Sequence, residues 1–161
     1  MANACGMNAR TPSQAPYRLH DSVLYQMTLT SRLQERRLDE GLKTLGLTRV
    51  TWCVLLAVEV EGCQRPSEIA DFIGIDRTAT SRALRGMEAA GWLERESGLA
   101  DRRTTRVRLT DAGRALLWRA APLAEENNSH FMAKLSPDEA QELARLMAKM
   151  RAGESRELPR F

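Results

Sequence analysis

Between Pro66 and Trp92, two short helical patterns are joined by the tripeptide Gly74-Ile75-Asp76, and at Gly91 the spacing of apolar residues switches from helical to alternating. In "PSEIADFIG", Pro66 suits a first helical turn, Ile69, Ala70 and Ile73 form one apolar stripe, and Gly74 ends it. Asp76 then caps "RTATSRALRGMEAAG", which Gly91 closes. Two short helices with so tight a turn spell helix-turn-helix. After Gly91, "WLERE" alternates, "SGLADRRTTR" is a polar loop, and "VRLT" alternates again. This is a β-hairpin with a long tip. A helix-turn-helix followed directly by a hairpin predicts a winged helix.

Helices flank this unit. Leu19 to Leu45 carries apolar residues at helical spacing, and "LGL" breaks the pattern. Thr48 caps a helix of nearly continuous apolar residues through Val60, which must be buried on most sides. Thr110 caps "TDAGRALLWRAAPLAEENNSHFMAKL", in which Pro122 predicts a kink. "SPDE" at 136–139 combines an N-cap, a first-turn proline and a capping-box glutamate ahead of the last helix. The organisation expected is a disordered arm over 1–18, helical segments over 19–47 and 111–151 that flank a winged helix-turn-helix lobe over 48–110, and a tail over 152–161. The fold class is mainly α with one small hairpin.

Charge is concentrated rather than abundant. The 161 residues carry a formal net charge of only +3. Between Gly98 and Thr110, four arginines (Arg102, Arg103, Arg106, Arg108) stand against Asp101, a balance equal to that of the whole chain. A basic hairpin tip is the right size for the minor groove beside a helix lying in the major groove, where its arginines meet phosphates and the negative potential of a narrow groove. Asp101 opposes simple attraction. A carboxylate two residues before Arg103 accepts a bidentate hydrogen bond from its guanidinium and fixes its direction before DNA arrives.

These stretches resemble the MarR (multiple antibiotic resistance regulator) family of dimeric winged-helix transcription regulators. The similarity runs from about Leu19 to Met150 and is strongest in "RESGLADRRTTRVRLTDAG". That string holds the family's Asp-x-Arg wing (Asp101, Arg103) and its L-T-x-x-G start of the fifth helix (Leu109, Thr110, Gly113). "LTRVTWCVLLAV" and "PSEIADFIGIDRTATSRALRGMEAAGWLER" support it. The resemblance implies that Arg103 enters the minor groove, that Asp101 orients it, and that Arg102 and Arg106 lie beside it. It makes Arg77 to Ala90 the recognition helix, with Leu84 and Met87 facing inward, Ala83 and Ala90 beside them, and Arg77, Thr78, Ser81, Arg82 and Arg85 facing outward. Ser81 and Arg82 match the family's Thr/Ser-Arg pair, whereas Arg85 replaces a residue that is often acidic or polar. Gly86, in mid-helix, costs about 1 kcal/mol of propensity. The resemblance also implies a homodimer built from the first and last two helices. Leu116, Leu117, Ala120, Ala121 and Leu123 of the fifth helix and the Leu143–Met150 face of the sixth would form its interface. Two recognition helices about 34–36 Å apart would then meet successive major grooves of a pseudo-palindromic operator.

The function expected is sequence-specific binding of double-stranded DNA by a cytoplasmic repressor, released by a small aromatic or phenolic effector near Tyr25, Met27, Trp52 and Trp118. Two alternatives stand beside it. One is a winged-helix protein-interaction module without DNA binding. The other is a thiol-based redox sensor. Cys5, Cys53 and Cys63 lack C-x-x-C spacing, and the position matching the reactive cysteine of the family's peroxide sensors is Leu24. His20 and His130 are far apart and form no metal-ligand pattern, so no metal or cofactor is expected. Nothing in the chain spells a nucleophile elbow, a phosphate-binding glycine loop or paired acid–base carboxylates, which argues against an enzyme. No run is long enough for a membrane span.

Overall fold

A computed structural model describes residues 17–97 and 105–154. The chain divides into two compact units, Met1–Leu33 and Gln34–Phe161. In the first, a 3-10 turn at Leu19–Asp21 leads into the opening of helix α1 (Val23–Lys43). The predicted first helix therefore starts late: Ser22 is extended, and the side-chain amide of Gln26 donates to the carbonyl of His20.

The second unit holds the rest of α1, then α2 (Arg49–Glu59), α3 (Pro66–Ile73), α4 (Arg77–Ala89), strands β1 (Leu93–Ser97) and β2 (Thr105–Leu109), α5 (Asp111–Met132) and α6 (Pro137–Arg151). The two strands pair antiparallel, with Leu93 opposite Leu109 and Arg95 opposite Val107. Helix α2 is the hub and packs against α3, α4, α5 and β2. Its Val54, Leu55 and Ala57 are fully buried, as its apolar sequence requires. They meet Leu42, Ile69, Leu84, Met87, Leu93, Val107 and Leu117 in one core. Each such large side chain contributes about 1.5–3 kcal/mol by leaving water.

The caps form where the sequence places them. Thr48 and Ser136 close capping boxes with Thr51 and Glu139, and Asp76 and Thr110 accept from Ala79 N and Gly113 N. Gly74, at φ 77°, makes the left-handed turn between α3 and α4 that a side chain would strain. Helix α5 continues on both sides of Pro122.

Three details depart from the sequence reading. Strand β2 begins at Thr105, so Arg106 sits in the ladder opposite Glu96 and not in the tip. Ala90 caps α4 and is exposed, while Thr80, not foreseen as a core residue, is buried with its hydroxyl bonded to the carbonyl of Asp76. Leu116, Leu117 and Ala120, expected at a dimer interface, are buried within the protomer, because α2 and β2 already cover that side of α5.

Candidate nucleic-acid interface

Helix α4 is fixed from behind. Thr80, Leu84 and Met87 are buried at helical spacing, so the opposite surface is set by geometry. Arg77, Thr78, Arg82 and Arg85 are exposed there, and Ser81 is half-buried. Arg77 and Arg82 carry no ion pair among the described residues. Arg85 folds along the helix and donates to the Ser81 hydroxyl at 3.1 Å. Arg77, Arg82 and Arg85 thus stand exposed on α4 with no ion pair among the described residues.

The hairpin is tied to this helix. Glu88 on α4 accepts from both Nε and Nη2 of Arg95 on β1, with the Nε contact at 2.8 Å. The guanidinium holds the Glu88 carboxyl below its ordinary range. Sequence reasoning missed this brace. The two residues lie seven apart across a turn, and only the reversal at Gly91 brings them together. On the outer face of the hairpin, Arg108 lies 3.9 Å from Glu96, and Arg106 is exposed. Asp101, Arg102 and Arg103 lie outside the described residues, as does Cys5.

The L-T-x-x-G sequence has a steric explanation. The Thr110 hydroxyl donates to the Gly91 carbonyl at 2.7 Å and accepts from Gly113 N, while Thr110 N donates to the Trp92 carbonyl. A β-carbon at Gly113 would lie 1.9 Å from that carbonyl oxygen. Only glycine allows the start of α5 to press against the turn leaving α4. Arg114 closes the corner, donating to the Leu109 carbonyl and to Asp111.

Other candidates take ordinary positions. Trp52 is buried in the core, while Trp118 on α5 exposes most of its indole. In the first unit, Tyr25 is half-buried and stacks edge-on with His20, and Met27 is exposed. Burial pushes the Cys53 thiol up, and burial with Glu68 and Glu61 nearby does the same to Cys63. Neither environment favours a thiolate. His130 stacks edge-on with Phe131. Among the described residues no cluster of three metal-ligating side chains occurs, and no helix is long and apolar enough to cross a membrane.

Residues 45–104 match the model of the MarR family. The structure is similar to that of MarR from E. coli bound to operator DNA, at 26% identity over 78% of this chain and 90% of that one, with a TM-score of 0.71. The apo form of that protein gives 25% identity over 80% and 96%, with a TM-score of 0.68. BpsR from Bordetella bronchiseptica, whose DNA binding is regulated by 6-hydroxynicotinic acid, shares the fold at 24% identity, covering 87% of this chain and all of its own, with a TM-score of 0.77.

Proposed function

We propose that this chain is a winged-helix transcription regulator of the MarR family, to whose model and structures it is similar, and that it acts as a homodimeric repressor that binds a pseudo-palindromic operator in double-stranded DNA. The observation that carries this reading is the outer face of α4, where Arg77, Thr78, Arg82 and Arg85 stand exposed beside a hairpin braced to the same helix. Unpaired arginines on a helix backed by core are suited to phosphates and to guanine edges in the major groove. Arg103, with Asp101 to orient it, extends the contact into the minor groove, and Arg102 and Arg106 flank it. The segments 19–47 and 111–151 form the dimerisation region, and residues 48–110 form the DNA-binding lobe.

Release by a small aromatic or phenolic effector completes the reading. Its support is the relative whose DNA binding 6-hydroxynicotinic acid regulates. Of the four aromatic and methionine candidates, Trp118 is the one in the second unit whose ring is free to meet a ligand. An effector acts only by its difference in affinity for DNA-compatible and incompatible arrangements of the dimer.

Selection of bound duplexes from a random pool, followed by gel shift with the selected site, tests the proposal. Arg82→Ala and Arg103→Ala are each expected to weaken binding by about 1–3 kcal/mol with the dimer intact. Asp101→Ala is expected to weaken it as well, although it makes the wing more positive. Unchanged affinity in all three variants, or no duplex selected at low salt, would reject the assignment.

A further inference from the structure

A second basic site lies on β2 near the loop end of the hairpin. The chain leaving α2 turns at Gly62, whose φ of 71° suits glycine, and runs alongside β2. The Gln64 carbonyl accepts from Val107 N at 2.8 Å. This single bond ties residue 64 to β2. It brings the next residue, Arg65, to the same cleft as Arg106, the residue before Val107. The cleft, about 330 Å³, is lined by Gly62, Gln64, Arg65, Glu68 and Arg106.

The two arginines are prepared differently. Arg106 is exposed and has no ion pair among the described residues. Arg65 is held by Glu68: Nε donates to Oε1 at 2.7 Å, and Nη2 lies 2.5 Å from the same oxygen. The other carboxylate oxygen, Oε2, accepts from the backbone N–H groups of Gln64 and Arg65 at 3.0 and 2.9 Å. Glu68 therefore has both oxygens occupied from within its own turn. It fixes the plane of the Arg65 guanidinium and leaves Nη1 without a partner among the described residues. The cleft holds two cations and one saturated anion, a net positive pocket built for an oxyanion.

Its place in the fold selects the anion. Helix α3 is the first helix of the helix-turn-helix, the element that crosses the nucleic-acid backbone while its successor enters the groove. Arg106 stands at the end of β2 from which the wing projects. We propose that Arg65 and Arg106 clamp one backbone phosphate of the bound duplex beside the loop end of the hairpin, with Glu68 as the positioning residue for Arg65. This rests on the DNA-binding reading above.

The salt dependence of binding to a random-sequence duplex tests it with the full-length protein. Each phosphate neutralised adds about 0.9 to the slope of log K against log salt. Arg65→Ala and Arg106→Ala are each expected to lower that slope by about one for every protomer seated, equally on random and selected sequences. The double variant is expected to lose no more than this, because both arginines serve one phosphate. Arg65→Ala leaves the backbone bonds of Glu68 in place, so α3 keeps its cap, and Arg106→Ala alters only an exposed strand position. Unchanged slopes in variants of a protein that binds duplex overturn the clamp alone. Losses that add in the double variant assign two separate phosphates and overturn it too. Inorganic phosphate raising the melting temperature of wild type but not of Arg65→Ala, with the slope unmoved, would make the cleft a free-anion site instead. A wild type that ignores duplex would overturn the DNA-binding reading itself, and the clamp with it.

Discussion

At the scale of single residues, two positions carry more than their size suggests. Gly113 has no space for a methyl group, since the clash is with backbone and not with a side chain that could swing aside. Gly113→Ala must push α5 from the Trp92 carbonyl and break the Thr110 bonds, a cost of about 3 kcal/mol. Urea denaturation measures this, and a variant as stable as wild type would refute the steric account. Glu68 offers a pH test. Its folded pKa lies at about 2, below the ordinary 4.5, chiefly through the Arg65 side chain and then through the backbone N–H groups of Arg65 and Gln64. Below pH 4.5 the unfolded chain takes up the proton first. The stability from this group is thus complete above 4.5 and is lost as pH falls toward 2. The thermal midpoint of Glu68→Gln is expected to fall less steeply across that window than that of wild type. Parallel curves would show that the carboxylate contributes nothing there.

Among the elements, α4 combines a rigid back with an unoptimised front. Gly86 lies on its exposed side, and a β-carbon there would meet nothing within 4 Å. No packing constraint explains the glycine. Gly86→Ala is therefore expected to stabilise the protein by about 1 kcal/mol through helix propensity alone. Calorimetry decides it, and a loss of stability would mean that the helix needs a bend the straight ladder does not reveal. The hairpin is secured twice, by the Glu88–Arg95 pair to α4 and by the Gln64–Val107 bond to the segment before α3. Both links leave its outer arginines exposed.

For the whole molecule, the last helix poses the clearest question. No residue of α6 is buried, and Leu143, Leu146 and Met150 expose 44%, 42% and 47% of their surface on one side. An apolar stripe at this spacing, left uncovered by the described residues, is the kind of surface a second copy covers. Leu143→Glu with Leu146→Glu is expected to convert the proposed dimer to monomer, seen by sedimentation, without loss of helical content. Operator affinity is expected to fall with it, because two half-sites would no longer be linked. A variant that sediments as a dimer would move the interface elsewhere.

Local chemistry was legible in the sequence. The caps at Thr48, Asp76, Thr110 and Ser136, the left-handed Gly74, the change of period at Gly91 and the outward arginines of α4 all follow from interactions within a few residues, which spacing and residue type report directly. What spacing does not report is which distant groups meet. Nothing in the order of residues says that Arg95 reaches back to Glu88, that Val107 recruits Gln64 and with it Arg65, or that Leu116 and Leu117 are claimed by the core and not by a second copy. Those outcomes depend on how α2 gathers the surrounding elements, because an amphipathic face specifies that it must be covered but not by what. The physical reason Gly113 is glycine lies there too, in the approach of a carbonyl twenty-one positions earlier in the chain to a helix start that only the folded corner brings within reach.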